Sequence, residues 1–165
     1  MNTDIFKSAK FKDNRGYFLE IYNQGKQFYL PQFVQSNLSF SKAGTLRGLH
    51  FQVPPHAQGK HIFVISGAIY DVIVDINQFS PTYGHWWGNT LKENESLFME
   101  KGFAHGFYAL KDSLVLYNIT DAYNKEAERS IIWNDPDINI EWPVDNPEYC
   151  LMSEKDRNGT RLKDL

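Results

Sequence analysis

The chain has 165 residues, 42% apolar and 22% charged. That is enough for one globular domain over 1–165 with a sizeable core, and it is not the composition of a disordered segment. A net charge of −3 offers no electrostatic footing for nucleic acid or an anionic membrane. Cys150 is the only cysteine, so an intramolecular disulfide is impossible, and the start "MNTDIFKSAKFKDNRG" is too polar for a signal peptide. Both features point to a cytoplasmic protein.

Taken in chain order, the elements are short and extended. "DNRGYFLE" reads as an early edge strand with Arg15 beside two aromatics. "YNQGKQFYLPQF" reads as a short helix stopped before Pro31. "FVQSNLS" and "LRGLHFQ" are strand-like, and "VPPHAQG" is a loop. "KHIFVISGAIYDVIVDI", Lys60 to Ile76, is rich in β-branched and aromatic residues and is punctuated by a turn at Ser66-Gly67. In its second half Asp71 and Asp75 share one face, while Tyr70, Val72 and Val74 take the other. "SLFMEKGFAHGFYAL", "SLVLYNITDAYN" and "RSIIWND" follow, with turns assigned to "SPTYG", "LKENE", "KGFAHG" and "LKDS". The tail "SEKDRNGTRLKDL" is read as a second short helix. Turn signals at this density, with no long 3.6-residue period, predict an all-β sandwich or barrel with short peripheral helices. The pattern does not choose between a jelly roll and a Greek key.

Several polar residues interrupt apolar stretches: Gln35, Asn37, Arg47, His50, Gln52, Lys60, His105 and Tyr117. If "LHFQ" is extended, His50 and Gln52 project to one side and Leu49 and Phe51 to the other. Each polar residue has an ordinary structural reading. His50 reads first as a packed core imidazole, Lys60 as a cation snorkelling to solvent, and Tyr117 as a core ring with its hydroxyl tied off. Their number and complementary chemistry suggest a wet cavity. A metal site is not indicated, because the His-x-His spacing followed by Glu is absent and His50, His56 and His61 flank a loop. Lys60 and His61 also face opposite ways on one strand. No Gly-x-Ser-x-Gly elbow or cysteine motif suggests a nucleophile.

Together, "FVQSNLSFSKAGTLRGLHFQ", "AQGKHIFVISGAIYDVIVDI", "GFAHGF", "LYNITDAYNKEAERSIIWNDP" and "LMSEKD" closely resemble the dTDP-4-dehydrorhamnose 3,5-epimerase family from about Asp13 to Asp156. The resemblance implies a cupin-type jelly roll, usually a homodimer, acting on a nucleotide-diphosphate sugar with a 4-keto group and using neither metal nor organic cofactor. Carried over, His50 is the base, Asp156 its carboxylate partner, Tyr117 the acid and Lys60 the cation near the keto oxygen. Arg15, Gln35, Asn37, Arg47, Gln52 and His105 become pocket or diphosphate contacts, with Glu20 and Tyr123 near nucleotide and sugar. Two positions depart from the family's usual pattern, Asn118 after the tyrosine and Glu100-Lys101 before Gly102. The nucleotide base, the sugar and the number of carbons inverted stay open, since relatives include enzymes of guanosine-linked heptoses and single epimerases. A 3,4-ketoisomerase of the same fold and a non-catalytic sugar-binding barrel are the rival readings.

Overall fold

In the computed structural model, which describes residues 4–144, 146 and 149–165, the chain is built almost wholly of antiparallel strands. They are β1 (Phe6–Lys7), β2 (Lys10–Asp13), β3 (Gly16–Leu19), β4 (Gln35–Ser41), β5 (Leu46–Gln52), β6 (Lys60–Ser66), β7 (Ala68–Asp75), β8 (Trp86–Lys92), β9 (Glu95–Met99), β10 (Phe103–Ala109), β11 (Ser113–Ile119) and β12 (Glu128–Ser130). One five-stranded sheet runs β1-β9-β6-β11-β4 and the other β12-β5-β10-β7-β8. From β4 to β12, strands adjacent in sequence fall in different sheets, apart from the paired β7 and β8, and this makes the sandwich a jelly roll. The β2–β3 hairpin forms a small sheet of its own.

The inner core lies between the sheets and is filled by Ile62, Val64, Ile69, Leu91, Leu97, Phe107, Ala109 and Val115. Strand parity explains both this core and the opening above it. Along β6 the inward positions read Val64, Ile62, Lys60, and along β11 they read Val115, Tyr117, Ile119. The inner face of β6 therefore turns from apolar to polar toward one end of the roll, where Tyr117 of β11 adds a hydroxyl. The predicted parity of β7 also holds: Ile69 packs in the inner core and Asp71 meets inward-facing His105, while Tyr70, Val72 and Val74 pack outward. That outer face is covered by the C-terminal segment, where Ile131, Trp133, Ile138, Trp142, Cys150 and Leu162 pack on Leu46, Leu49, Phe51 and Ala104. Parallel bridges Thr45↔Leu151 and Ile131↔Thr160 stitch the segment down.

Three expectations are corrected. No helix forms in 22–33; the stretch makes turns across the outer face of the first sheet, with Phe33 stacked on His61. Its aromatic and glycine content favours packing as an irregular cover over a helix (Gly25 lowers helix propensity further). "KGFAHG" is a turn only at Lys101-Gly102, since Phe103 onward belongs to β10 between β5 and β7. Arg15 sits in the β2–β3 turn rather than within a strand. The tail does form the expected short helix, α1 (Glu154–Arg157), capped by Ser153, whose side chain accepts from the Asp156 N–H. No helix among the described residues is long and apolar enough to cross a membrane.

Candidate active site

At the polar end of the roll lies a cavity of about 380 Å³ lined by Gln35, Asn37, His50, Gln58, Lys60, Tyr117, Ile119, Tyr123 and Glu128. Six of the residues singled out from sequence thus meet in one place, drawn from β4, β5, β6, β11 and the loop after it. His50 owes its position to a bulge. Opposite β10, His105 pairs with His50 but Phe107 pairs with Arg47, so β5 carries one extra residue. Arg47 and His50, three apart, consequently face the same side. The bulge needs glycine on both strands: a Cβ on Gly48, at φ +118°, would lie 2.5 Å from Gly106 Cα.

The bulge also turns the Gly48 N–H toward Asp156, which it reaches at 3.1 Å on Oδ1. His50 Nε2 lies 2.7 Å from the same oxygen, off the ideal N–H direction, and the Ser153 hydroxyl donates to Oδ2 at 2.6 Å. Burial alone would raise the Asp156 carboxyl. The bonds from His50, Ser153 and Gly48 outweigh it and hold the group near about 2. Asp156 is therefore a fixed anion behind the imidazole, which leaves His50 Nδ1 for the cavity. Across from it, burial pushes the Tyr117 phenol well above its ordinary range, so its proton is retained at neutral pH. The Tyr117 hydroxyl is 3.4 Å from Ser39 Oγ, and its ring stands edge-on to His105. Lys60 Nζ donates to the His50 carbonyl at 3.1 Å. Desolvation lowers its ammonium to about 8, against the opposing pull of Asp71 and Glu128.

The remaining sequence candidates fall elsewhere. His105 is buried deeper in the roll, with Nε2 at 2.6 Å from Asp71 Oδ2. Arg47 is held by Ser41 Oγ at 2.8 Å and the Phe40 carbonyl at 3.1 Å. The Gln52 amide is engaged by backbone groups and does not line the cavity. Glu20 is paired with Lys26 and Asn23 outside the roll. Arg15 is 86% exposed and bonds only to neighbouring Asp13 among the described residues. Besides apolar Ile119, two polar lining residues escaped the sequence reading. Gln58 lies two positions before Lys60, a spacing that parity could have flagged. Glu128, paired with Lys155 at 2.5 Å, carries no local signal. Among the described residues no group of three or more His, Cys, Asp or Glu is placed to hold a metal.

The dTDP-4-dehydrorhamnose 3,5-epimerase family model matches residues 2–164. A curated dTDP-4-dehydrorhamnose 3,5-epimerase of Shigella flexneri is 45% identical over 97% of this chain and 91% of its own. The chain belongs to this family. It is thereby an epimerase, of the isomerase class. Among solved structures, the dTDP-6-deoxy-D-glucose-3,5-epimerase of Legionella pneumophila in complex with dTDP-4-keto-L-rhamnose superposes with a TM-score of 0.87. That pair is 38% identical, covering 96% of this chain and 87% of the other. A 3'-monoepimerase from Streptomyces bikiniensis in complex with dTDP-quinovose gives 0.85 at 29% identity, over 96% and 83%. The family fold therefore accommodates both double and single epimerases.

Proposed function

We propose that the protein inverts C3 and C5 of a dTDP-linked 4-keto-6-deoxy sugar by proton removal on one face and return on the other, without a cofactor. The observation that carries this reading is the meeting, in one cavity and from facing sheets, of a carboxylate-backed imidazole and a phenol that keeps its proton, with an ammonium lining the same cavity. A C–H beside the C4 ketone is acidic enough for a neutral imidazole, because its electron pair moves onto the keto oxygen as an enolate. His50 Nδ1 takes the proton. Asp156 fixes the Nε2–H tautomer and stabilises the imidazolium formed. The Lys60 ammonium balances the charge that grows on the oxygen. Tyr117 then delivers its proton to the opposite face, and phenolate and imidazolium re-equilibrate with water. His105, bound to Asp71, steadies the Tyr117 ring edge-on.

A diphosphate needs cations, and among the described residues Lys60 is the only lysine or arginine lining the cavity. The reading therefore includes a homodimer in which Arg15 reaches a second copy's cavity. Its support is the unpaired hairpin with exposed Phe11 and Phe18, and the edge strand β4 with exposed Leu38 and Phe40. A cytoplasmic location completes it, in keeping with a single, buried, free cysteine.

The test is incubation with dTDP-4-keto-6-deoxyglucose in deuterium oxide, reading label by NMR. Deuterium at C3 and C5 with inverted configuration is expected. Label at one carbon would make the protein a single epimerase. A ketone moved to C3 would make it an isomerase, and no label with retained binding would make it a sugar-binding barrel.

A further inference from the structure

The loop Thr120–Asn124, which joins β11 toward β12 and carries Tyr123, is gripped at every residue. Gly59 N–H donates to Thr120 Oγ1 at 2.8 Å, and Gln58 donates to the Asp121 carbonyl at 2.8 Å. Gln35 accepts from the Tyr123 N–H at 3.0 Å. Gln52, buried beneath, donates to the Ala122 carbonyl at 3.3 Å and to the His56 carbonyl at 2.7 Å, and accepts from the Asn124 N–H at 2.8 Å. Of these side chains Gln52 alone holds the loop at two points, and the two points bracket Tyr123. At the far end of the ring the Tyr123 hydroxyl donates to Glu128 Oε2 at 2.9 Å. Tyr123 is nevertheless 53% exposed and lines the cavity. Hydrogen bonds at such a wet rim contribute little individually to folding. Their combined effect is geometric: a flat ring fixed over an opening.

We propose that Gln52 is a positioning residue that holds Tyr123 as a rigid platform over the cavity mouth, and that this placement sets how inversion is divided between the two sugar carbons flanking the ketone. The proposal rests on the epimerase reading above. One base and one acid serve both carbons, so the ring must be presented to them in two poses. A fixed platform at the mouth restricts those poses, and a loose one changes them unequally. Gln52 itself touches no reacting atom. Its inward orientation on β5 serves the loop, which is why it resembles a pocket residue in sequence while standing outside the cavity.

The test is a double-mutant cycle with Gln52→Met, close in shape but lacking both donors and acceptor, and Tyr123→Ala. Deuterium uptake at C3 and at C5 is followed for wild type, both single variants and the double variant. Gln52→Met is expected to lower turnover roughly tenfold and to shift the C3-to-C5 label ratio about threefold or more. In the Tyr123→Ala background the same change should alter either quantity by less than about twofold, since the residue acts through the ring. The label ratio does not depend on the fraction of folded protein, so a purely structural role would not move it. If Gln52→Met fails to fold, Gln52→Glu, which keeps the acceptor and loses the donors, replaces it under the same expectations. An unchanged ratio, or effects that multiply fully in the double variant, would overturn the proposal. Amide hydrogen exchange over residues 120–124, expected to quicken in Gln52→Met, reads the cradle without substrate. Absence of exchange into any sugar in the wild type would instead overturn the epimerase reading.

Discussion

His50 and Lys60 show how the surroundings of a side chain decide what it can do. An imidazole can present either nitrogen, and the Asp156 carboxylate at 2.7 Å selects which one keeps its proton. Asp156→Asn would preserve shape but offer an amide that can present its NH2 to Nε2, favouring the wrong tautomer. Turnover should fall by roughly three orders of magnitude with KM nearly unchanged, as steady-state kinetics would show. Lys60 makes a second prediction. Its ammonium sits near about 8 instead of 10.5. In the proposed mechanism the charged form is the useful one, so turnover should fall about tenfold per unit above pH 8. A rate that stays flat to pH 10 would show that the cation is not required.

At the scale of the element, β6 holds neighbouring ionisable residues in opposite settings. Lys60 faces the cavity, while His61 faces outward beneath Tyr22 and Phe33, bonded to Asn118 at 3.2 Å with Nε2 unpartnered. Burial lowers His61 to about 4, so the folded protein holds it neutral at pH 7. The unfolded chain binds that proton near pH 6.5, so the unfolded state gains protons first as the solution is acidified. Stability is complete above about 6.5 and declines as pH falls toward 4, by about 3 kcal/mol from this residue. Urea titrations across that window should show the slope in the wild type and lose it in His61→Phe. On β5 the corresponding device is the bulge, which places Arg47 and His50 on one face and aims the Gly48 N–H at Asp156.

The whole molecule raises the question of where the diphosphate finds its positive charge. Arg15 stands at the tip of a hairpin that, among the described residues, pairs with neither large sheet. If it serves a second copy's cavity, two inactive variants, His50→Ala and Arg15→Ala, should complement each other after joint unfolding and refolding. Random pairing makes about half the dimers mixed, each with one intact site, so about a quarter of wild-type activity should return. A silent mixture whose mixed dimers are confirmed by mass spectrometry would place Arg15 in its own chain's service or in none.

Much of this protein was legible before its folding. Two-residue periodicity marked the strands, put Asp71 on the opposite face from Tyr70, Val72 and Val74, and set Lys60 against His61, because side-chain alternation is a local property of an extended backbone. The ordered motifs named the family, and six of the singled-out residues do line one cavity. What a polar side chain meets is not local. Gln52 faces inward as parity requires, yet loop backbone from residues 122 and 124 occupies its amide. Arg15 does not line its own cavity, and Glu128 lines it without any pattern to announce it. Asp156 reaches His50 only because the C-terminal segment buries Trp133, Trp142 and Leu162 on the outer face of the second sheet and carries α1 with it. The family resemblance had implied the Asp156–His50 pair, but the contacts of Gln52, Arg15 and Glu128 depend on packing between segments far apart in the chain, so the tertiary structure decided them.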